Sequence, residues 1–273
     1  MLSGIGPSRE LQAHSIPVLL DMPGVGANLQ DHVDYVMTYR TKTGPETLGV
    51  SASGGRAIMD AVKQWRNHRT GKLTSPIAEA GAFIKSNDDL ETPDLQLHFA
   101  PGIVDNHGRK MHAGHGMSIH LSLLKPNSRG RVSLTSREPL QAPLINPQYL
   151  THTDDVNRLL SGFKKVRQLF QHEAFASIRR KEMHTEGVDS DAEIVNWIRK
   201  RADTLYHPVG TCRMGGADET MSVVGPDLKV KGIDGLRVAD ASVMPQIISA
   251  NTNAAAMMIG WRAGGLIAKQ PGN

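Results

Sequence analysis

The sequence predicts an α+β chain in which an antiparallel sheet is backed by helices. Three observations predict it. Apolar residues alternate at Leu95, Leu97 and Phe99, at Met117, Ile119, Leu121 and Leu123, and at Val132 and Leu134, the period of half-buried strands. Gly130 lies in the turn between the last two runs, which suggests an antiparallel pair. Two runs of helical spacing follow. In the first, Val156, Leu159, Leu160, Phe163, Val166, Leu169 and Phe170 share a face, with Asp154 and Asp155 in the first turn opposing the dipole. The second opens with the capping box Ser190-Asp191-Ala192-Glu193 and carries Ile194, Val195 and Ile198 inward.

The remaining elements follow in order. Ile16 to Leu20 reads as a short buried strand and Gly24 to Asn28 as a turn. From Arg56 to Arg69 the pattern is helical, with Ile58, Ala61, Val62 and Trp65 on one face and Gly71 as C-terminal cap. Pro208 ends regular structure near His207, and Leu236 to Asp240 reads as a strand. A last helix, about Asn253 to Ala268, is apolar nearly all round, which places it in a core. Trp65, Trp197 and Trp261 are expected in the core.

Composition narrows the function classes. A chain of 273 residues holds one large domain or two modest ones. Aromatic content of 4% argues against a stacking platform for single-stranded nucleic acid. The net charge of +4 is mild, and Arg179-Arg180-Lys181 and Arg199-Lys200-Arg201 read as solvated helix ends, so no nucleic-acid partner is expected. No run of 18 apolar residues occurs. The first residues lack a charged leader and a long apolar core, so no secretory signal is expected. A single cysteine, Cys212, rules out an internal disulfide; it reads as a packing residue rather than a reactive thiol.

Several chemistries find no motif. Gly4-Ile5-Gly6 and Gly24-Val25-Gly26 supply two glycines each, but the third position of a dinucleotide fingerprint holds Arg9 and Leu29, so both read as turns. No P-loop, H-E-x-x-H or G-x-S-x-G occurs. His107, His112, His115 and His120 cluster in sequence, but their spacing matches no compact ligand set; they read as a polar loop, and no metal is expected.

The most informative stretch is Leu205 to Gly215, read with Ser249-Ala250-Asn251-Thr252-Asn253. His207 is the side-chain type best suited to taking a proton near neutral pH. Asn251, just ahead of the last helix, could donate to a substrate oxygen while staying neutral; it also reads as that helix's N-cap.

At these residues the chain resembles the C-terminal half of the glucose-methanol-choline family of FAD-dependent alcohol oxidoreductases. Three blocks carry the resemblance: Leu2 to Pro7 with Pro23 to His32, Pro126 to Val132 with Pro143 to Pro147, and Tyr206 to Ile267. Gly210 to Gly215 looks most like the bacterial alcohol dehydrogenases that use quinone-type acceptors, with choline dehydrogenases close behind. Gly225 stands where relatives usually carry aspartate, and Ala250 where glycine is common.

The resemblance implies a division of the chain. Residues 1–35 and 202–273 would be pieces of a Rossmann-like FAD domain, with 36–201 the substrate domain between them. The N-terminal nucleotide-binding half of the FAD domain would be absent, leaving it incomplete and leaving exposed apolar surface where that half would pack. It also implies roles. His207 would be the active-site histidine and Asn251 its partner. Asp240 and Ala241 would lie against the FAD phosphate and ribityl region, and Thr252 and Asn253 would approach the flavin ring. The stretch Asn28 to His32 would be part of a loop covering the cofactor. The implied reaction is oxidation of a primary alcohol, with the hydride going to flavin and the electrons on to a quinone or other acceptor. A quinone would bring peripheral contact with the inner face of a bacterial membrane; otherwise the chain is expected in the cytoplasm. The alternative is a non-catalytic fragment or ligand-binding remnant of the same fold.

Overall fold

The computed structural model describes residues 1–44 and 47–269. In chain order its elements are β1 (Ile5–Gly6), α1 (Ser8–Ala13), β2 (Leu20–Asp21), β3 (Val33–Thr41), β4 (Gly49–Val50), α2 (Ala52–His68), β5 (Ala80–Ile84), β6 (Leu95–Ala100), β7 (Gly114–Leu123), β8 (Arg131–Ser133), β9 (Leu144–Asn146), α3 (Thr153–Gln171), β10 (Arg179–Glu182), α4 (Asp191–Arg201), β11 (Asp203–Thr204) and α5 (Asn253–Ala268). The chain divides into two compact units, one of residues 1–33, 124–155 and 204–273, the other of 34–123 and 156–203. Residues 124–155 thus group with the terminal segments rather than with the middle of the chain. The backbone explains why: Leu29 and Gly130 form an antiparallel bridge, and the Val132 N–H donates to the Gly26 carbonyl at 2.7 Å.

The unit of residues 34–123 and 156–203 is built on a sheet of order β10-β3-β7-β6-β5. Its register sets Leu97 between Ala82 and Leu121, so the expected alternation becomes one apolar face. Helix α3 covers that face closely. A side chain at Gly162 would run into Leu95 and Leu121 at 2.8 Å, and Phe163 and Phe170 stack edge-on or tilted against Tyr35 and Tyr39. The capping box of α4 forms as expected: Ser190 Oγ accepts from the Glu193 N–H and donates to its carboxylate, and Ile194 and Ile198 are buried. Arg179-Arg180-Lys181 is not a helix end. It is β10, the outer strand, where cations discourage edge-to-edge pairing.

The other unit has a core of Met22, Val209, Val223, Val224, Leu228, Val230, Val243, Met244 and Ile247, closed by Ile259 and Ala263 of α5. Several elements differ from expectation here. Only Leu20–Asp21 of the first apolar run pairs, in parallel with β1, while Val18 and Leu19 are exposed. Strand β8 pairs β9, not β7, because the ten residues that follow Ser133 return the chain antiparallel to it. Leu236–Asp240 makes one isolated bridge, Lys229 with Arg237, instead of a strand. Gly4-Ile5-Gly6 is not only a turn: it forms β1 and leads through Pro7 into the six-residue α1.

Two helices overturn the expected burial. In α5 Ile259 and Ala263 are inside, but Met257, Met258, Ile267 and Trp261 (80% exposed) face outward. In α2 Ala61 is buried, but Ile58, Val62 and Trp65 are exposed, and Arg69 in the left-handed region, not Gly71, ends the helix. Trp197 is half-buried. Periodicity finds an apolar stripe without saying that anything in the chain covers it. No helix of the described residues is long and apolar enough to cross a membrane.

Candidate active site

His207 follows Tyr206, whose φ of 64° puts the backbone in the left-handed region. That turn is held by Thr204 Oγ1, which accepts the Tyr206 N–H at 2.7 Å. The Asp31 carboxylate, buried, then fixes the backbone of the histidine itself. It accepts the His207 N–H at 2.9 Å on one oxygen, and the Tyr149 hydroxyl at 2.6 Å and the Thr204 hydroxyl on the other. Leaving Asp31 ionised and unpaired inside the unit would be costly, so the three donors lock its position.

The His207 ring meets His32. Their Nδ1 atoms lie 2.9 Å apart and the rings meet edge to face at 89°. On its other side His32 Nε2 lies 3.0 Å from the Ile248 carbonyl. A carbonyl only accepts, so His32 carries its proton on Nε2. Burial holds the ring neutral, lowering its pKa to about 4. A neutral imidazole protonated at Nε2 offers a lone pair at Nδ1, so the His207 Nδ1–H must be the donor between the two rings. In a neutral His207 ring Nε2 is then the acceptor nitrogen, and Asn251 Nδ2 approaches it at 3.5 Å. The chain of partners from Ile248 to Asn251 sets one tautomer.

The loops are held by side chains that the sequence reading did not single out. Gln30, buried, donates from Nε2 to the Pro245 carbonyl at 3.1 Å and accepts the Ile247 N–H at 3.2 Å; its backbone pairs with Val209. Gln30, Asp31 and His32 are consecutive residues that bind three different later segments. A run of polar residues that stays buried was the available signal.

The other expected site residues are placed as follows. Asn28, at φ 61°, spends its amide on the Gly210 and Pro245 carbonyls. Asp240 accepts the Ser242 N–H at 2.8 Å and caps a single 3₁₀ turn, Ala241–Val243. Thr252, buried, is the N-cap of α5 rather than Asn251, and it makes no side-chain capping bond; Asn253 opens the helix. Cys212 is half-buried and burial raises its thiol pKa, in keeping with packing. His207 and Asn251 are brought together; Asp240 and Ala241 serve a local turn, and Asn28 ties its segment to Gly210 and Pro245.

The four clustered histidines each take a separate partner: His107 with Asp203, His112 with Asp105, His120 with Asp34, and His115 with Thr47 and Ser51. His115 and His120 sit on β7, not in a loop. Among the described residues, His152, Asp154 and Asp155 come within 4.8 Å of one another. Asp155 is occupied, however, by the N–H groups of Asn127 and Ser128 and by the Ser128 hydroxyl.

Residues 126–260 match the family model described as GMC oxidoreductase. Alcohol dehydrogenase (acceptor) of Pseudomonas putida is 41% identical over 271 residues, 99% of this chain and 49% of that protein. Oxygen-dependent choline dehydrogenase of Rhizobium johnstonii is 38% identical, again over 99% of this chain and 49% of that protein. Among solved structures, an Aspergillus oryzae formate oxidase variant described for its FAD modification aligns with a TM-score of 0.86 at 29% identity, covering 97% of this chain and 51% of that one. Pyridoxine 4-oxidase, described as from Mesorbium loti, aligns with a TM-score of 0.81 at 26% identity, covering 99% and 49%. The chain spans about half the length of the curated relatives it matches.

Proposed function

We propose that this chain, which belongs to the GMC oxidoreductase family, carries the proton-handling side of an FAD-dependent oxidation of a primary alcohol. One observation supports this reading above the others: the contact between His32 and His207 that assigns the acceptor role to His207 Nε2, beside the Asn251 amide.

An alcohol oxygen can sit within about 2.9 Å of both atoms, since they are 3.5 Å apart. His207 Nε2 takes the hydroxyl proton there, and Asn251 Nδ2 donates to the same oxygen without competing for that proton. General-base help of this kind is typically worth ~10²–10⁴ in rate. The resulting imidazolium keeps its Nδ1–H on the neutral His32.

The residues at the start of α5 fit an electron-rich ring edge. Thr252 and Asn253 leave the first N–H groups without a side-chain cap, and the helix dipole adds partial positive charge. Asp240, Ala241 and Asn28 would help hold FAD through the turn and segments they stabilise. A bound FAD supplies the two-electron acceptor for the alcohol carbon. Among the described residues no glycine fingerprint cradles a pyrophosphate: Gly6 leads into a helix of only six residues. The adenosine end therefore needs groups beyond those described. An alcohol substrate accords with the alcohol dehydrogenase (acceptor) and the oxygen-dependent choline dehydrogenase it resembles, and a quinone-type final acceptor is our proposal beyond them.

The test is flavin absorbance and alcohol-dependent reduction of a dye. It is run on the chain alone and on the chain co-expressed with the N-terminal half of the P. putida relative. His207→Ala should lower turnover by ~10² or more with flavin retained, and Asn251→Ala by ~10-fold. Turnover unaffected by His207→Ala would remove the reading. A colourless, inactive product in both formats would favour a ligand-binding remnant.

A further inference from the structure

We infer that α2 is a membrane-surface anchor that lays its apolar stripe on an anionic lipid bilayer. Membrane contact is already an expectation of the redox reading; its assignment to α2 is independent of the proton chemistry and rests on three features of that helix.

The first is how little of the helix is held by the protein. Ser51 caps it by accepting the Gly54 N–H at 2.9 Å. Of its 17 residues only Gly54 and Ala61 are buried. Gly54 lies so close to the Gly49 carbonyl that a Cβ there would sit 2.0 Å from the oxygen. The helix is thus seated along a narrow seam of small residues, with the rest standing out.

The second is what stands out. Ile58, Met59, Val62 and Trp65 are 56%, 65%, 41% and 39% exposed. At ~100° per residue they fall within about 120° of the helix circumference. Single exposed apolar residues are ordinary, but a contiguous stripe with a tryptophan is not.

The third is charge. Between Arg56 and Lys72 the chain carries Arg56, Lys63, Arg66, Arg69 and Lys72 against Asp60 alone, a net +4 that equals the net charge of the whole chain. At the same spacing Arg66 falls within the arc of the stripe and Lys63 just beyond its Met59 edge, and the Arg69 guanidinium lies 4.3 Å over the Trp65 ring. A protein partner of ordinary surface would match the apolar stripe but not this concentration of cations. An anionic bilayer matches both, with the stripe in the acyl boundary and long basic side chains reaching the headgroups.

The experiment is co-sedimentation of the full chain with vesicles of phosphatidylcholine alone, and with vesicles of three parts phosphatidylcholine to one part phosphatidylglycerol. The chain should bind the anionic vesicles, bind the neutral ones far more weakly, and release as salt rises. The double variant Lys63→Gln with Arg66→Gln should bind about 25-fold more weakly, roughly fivefold per cation. Ile58→Ser with Trp65→Ser should abolish binding, whereas Trp261→Ser should not change it. Circular dichroism identifies any variant that has not folded, and the charge pair remains informative if the apolar pair fails. No binding to anionic vesicles, or equal binding to neutral ones, overturns the inference. So does loss with Trp261→Ser alone, which would move the contact to α5. A change of oligomeric state in the α2 variants with vesicle binding unaffected would overturn it in favour of a second copy of the chain.

Discussion

His32 sets the proton inventory of His207. The two Nδ1 atoms are 2.9 Å apart, and because His32 is neutral and already donates to the Ile248 carbonyl, the shared hydrogen belongs to His207. One ring thereby decides which nitrogen of the other is basic.

Replacing His32 with Gln should therefore act on chemistry more than on binding. Gln can donate toward His207 Nδ1 and so allows the opposite tautomer, with the proton on Nε2. Turnover in a flavin-loaded form should fall by ~10–10² with flavin retention little changed, and the acid limb of the pH–rate profile should move. Steady-state kinetics across pH on His32→Gln checks this. An unmoved profile with full turnover would return His32 to a purely structural role.

Stability should decline in mild acid. The folded pKa of His32, about 4, lies below the ordinary 6.5, so the unfolded chain takes up the proton first as pH falls. The contribution is full above pH 6.5, shrinks as pH drops toward 4, and amounts to about 3 kcal/mol across that window. His184, kept low by burial and the Arg201 charge, acts in the same direction. His120 acts oppositely. Burial disfavours its charge, but the Asp34 hydrogen bond and charge prevail and raise its pKa, so its share is present below pH 6.5 and lost at higher pH. Urea titrations at pH 7 and pH 5 should give a smaller difference for His32→Gln than for the parent chain.

Gly210→Ala should loosen the His207 loop. Gly210 has φ +96°, and a Cβ there would meet the Asn28 carbonyl oxygen at 2.4 Å. Neither the backbone angle nor the neighbour can give cheaply, since Asn28 also bonds the Gly210 carbonyl. A loss of about 2–4 kcal/mol is expected from chemical denaturation. Gly260→Ala, where nothing lies within 4 Å, should be neutral or slightly stabilising.

The outward face of α5 should make the chain self-associate. Met257, Met258, Trp261 and Ile267 are exposed on a helix with almost no polar side chain. Met257→Ser with Trp261→Ser should lower the sedimenting mass and leave the melting temperature within a few degrees, because neither side chain fills the core. A large drop in melting temperature would show that the face is covered within the chain.

Elements with strong periods were legible from sequence: β6, β7, α3, α4 and α5 lie where alternation and helical spacing place them. Their surroundings were less so. Val132 alternates as a strand should, but period alone does not name a partner, and β9 rather than β7 supplies it. The stripes of α2 and α5 are real, yet burial depends on what lies opposite. At the site, His207 and Asn251 could be singled out by chemical type and resemblance. The relay through His32 could not, because its meaning lies in a contact across 175 positions. Gln30 and Asp31 read as loop residues for the same reason: their partners are Pro245, Ile247 and Thr204.

That separation sets a schedule for biosynthesis. His32 leaves the ribosome 216 residues ahead of Ile248, the carbonyl that orients it. At ordinary elongation speed the interval is roughly 10–45 s. Until it ends, His32 lacks the carbonyl that fixes its tautomer, although Asp31 and Gln30 can already meet Tyr149 and Val209. A ribosome stalled anywhere between His32 and Ile248 would display a chain whose proton relay cannot yet exist.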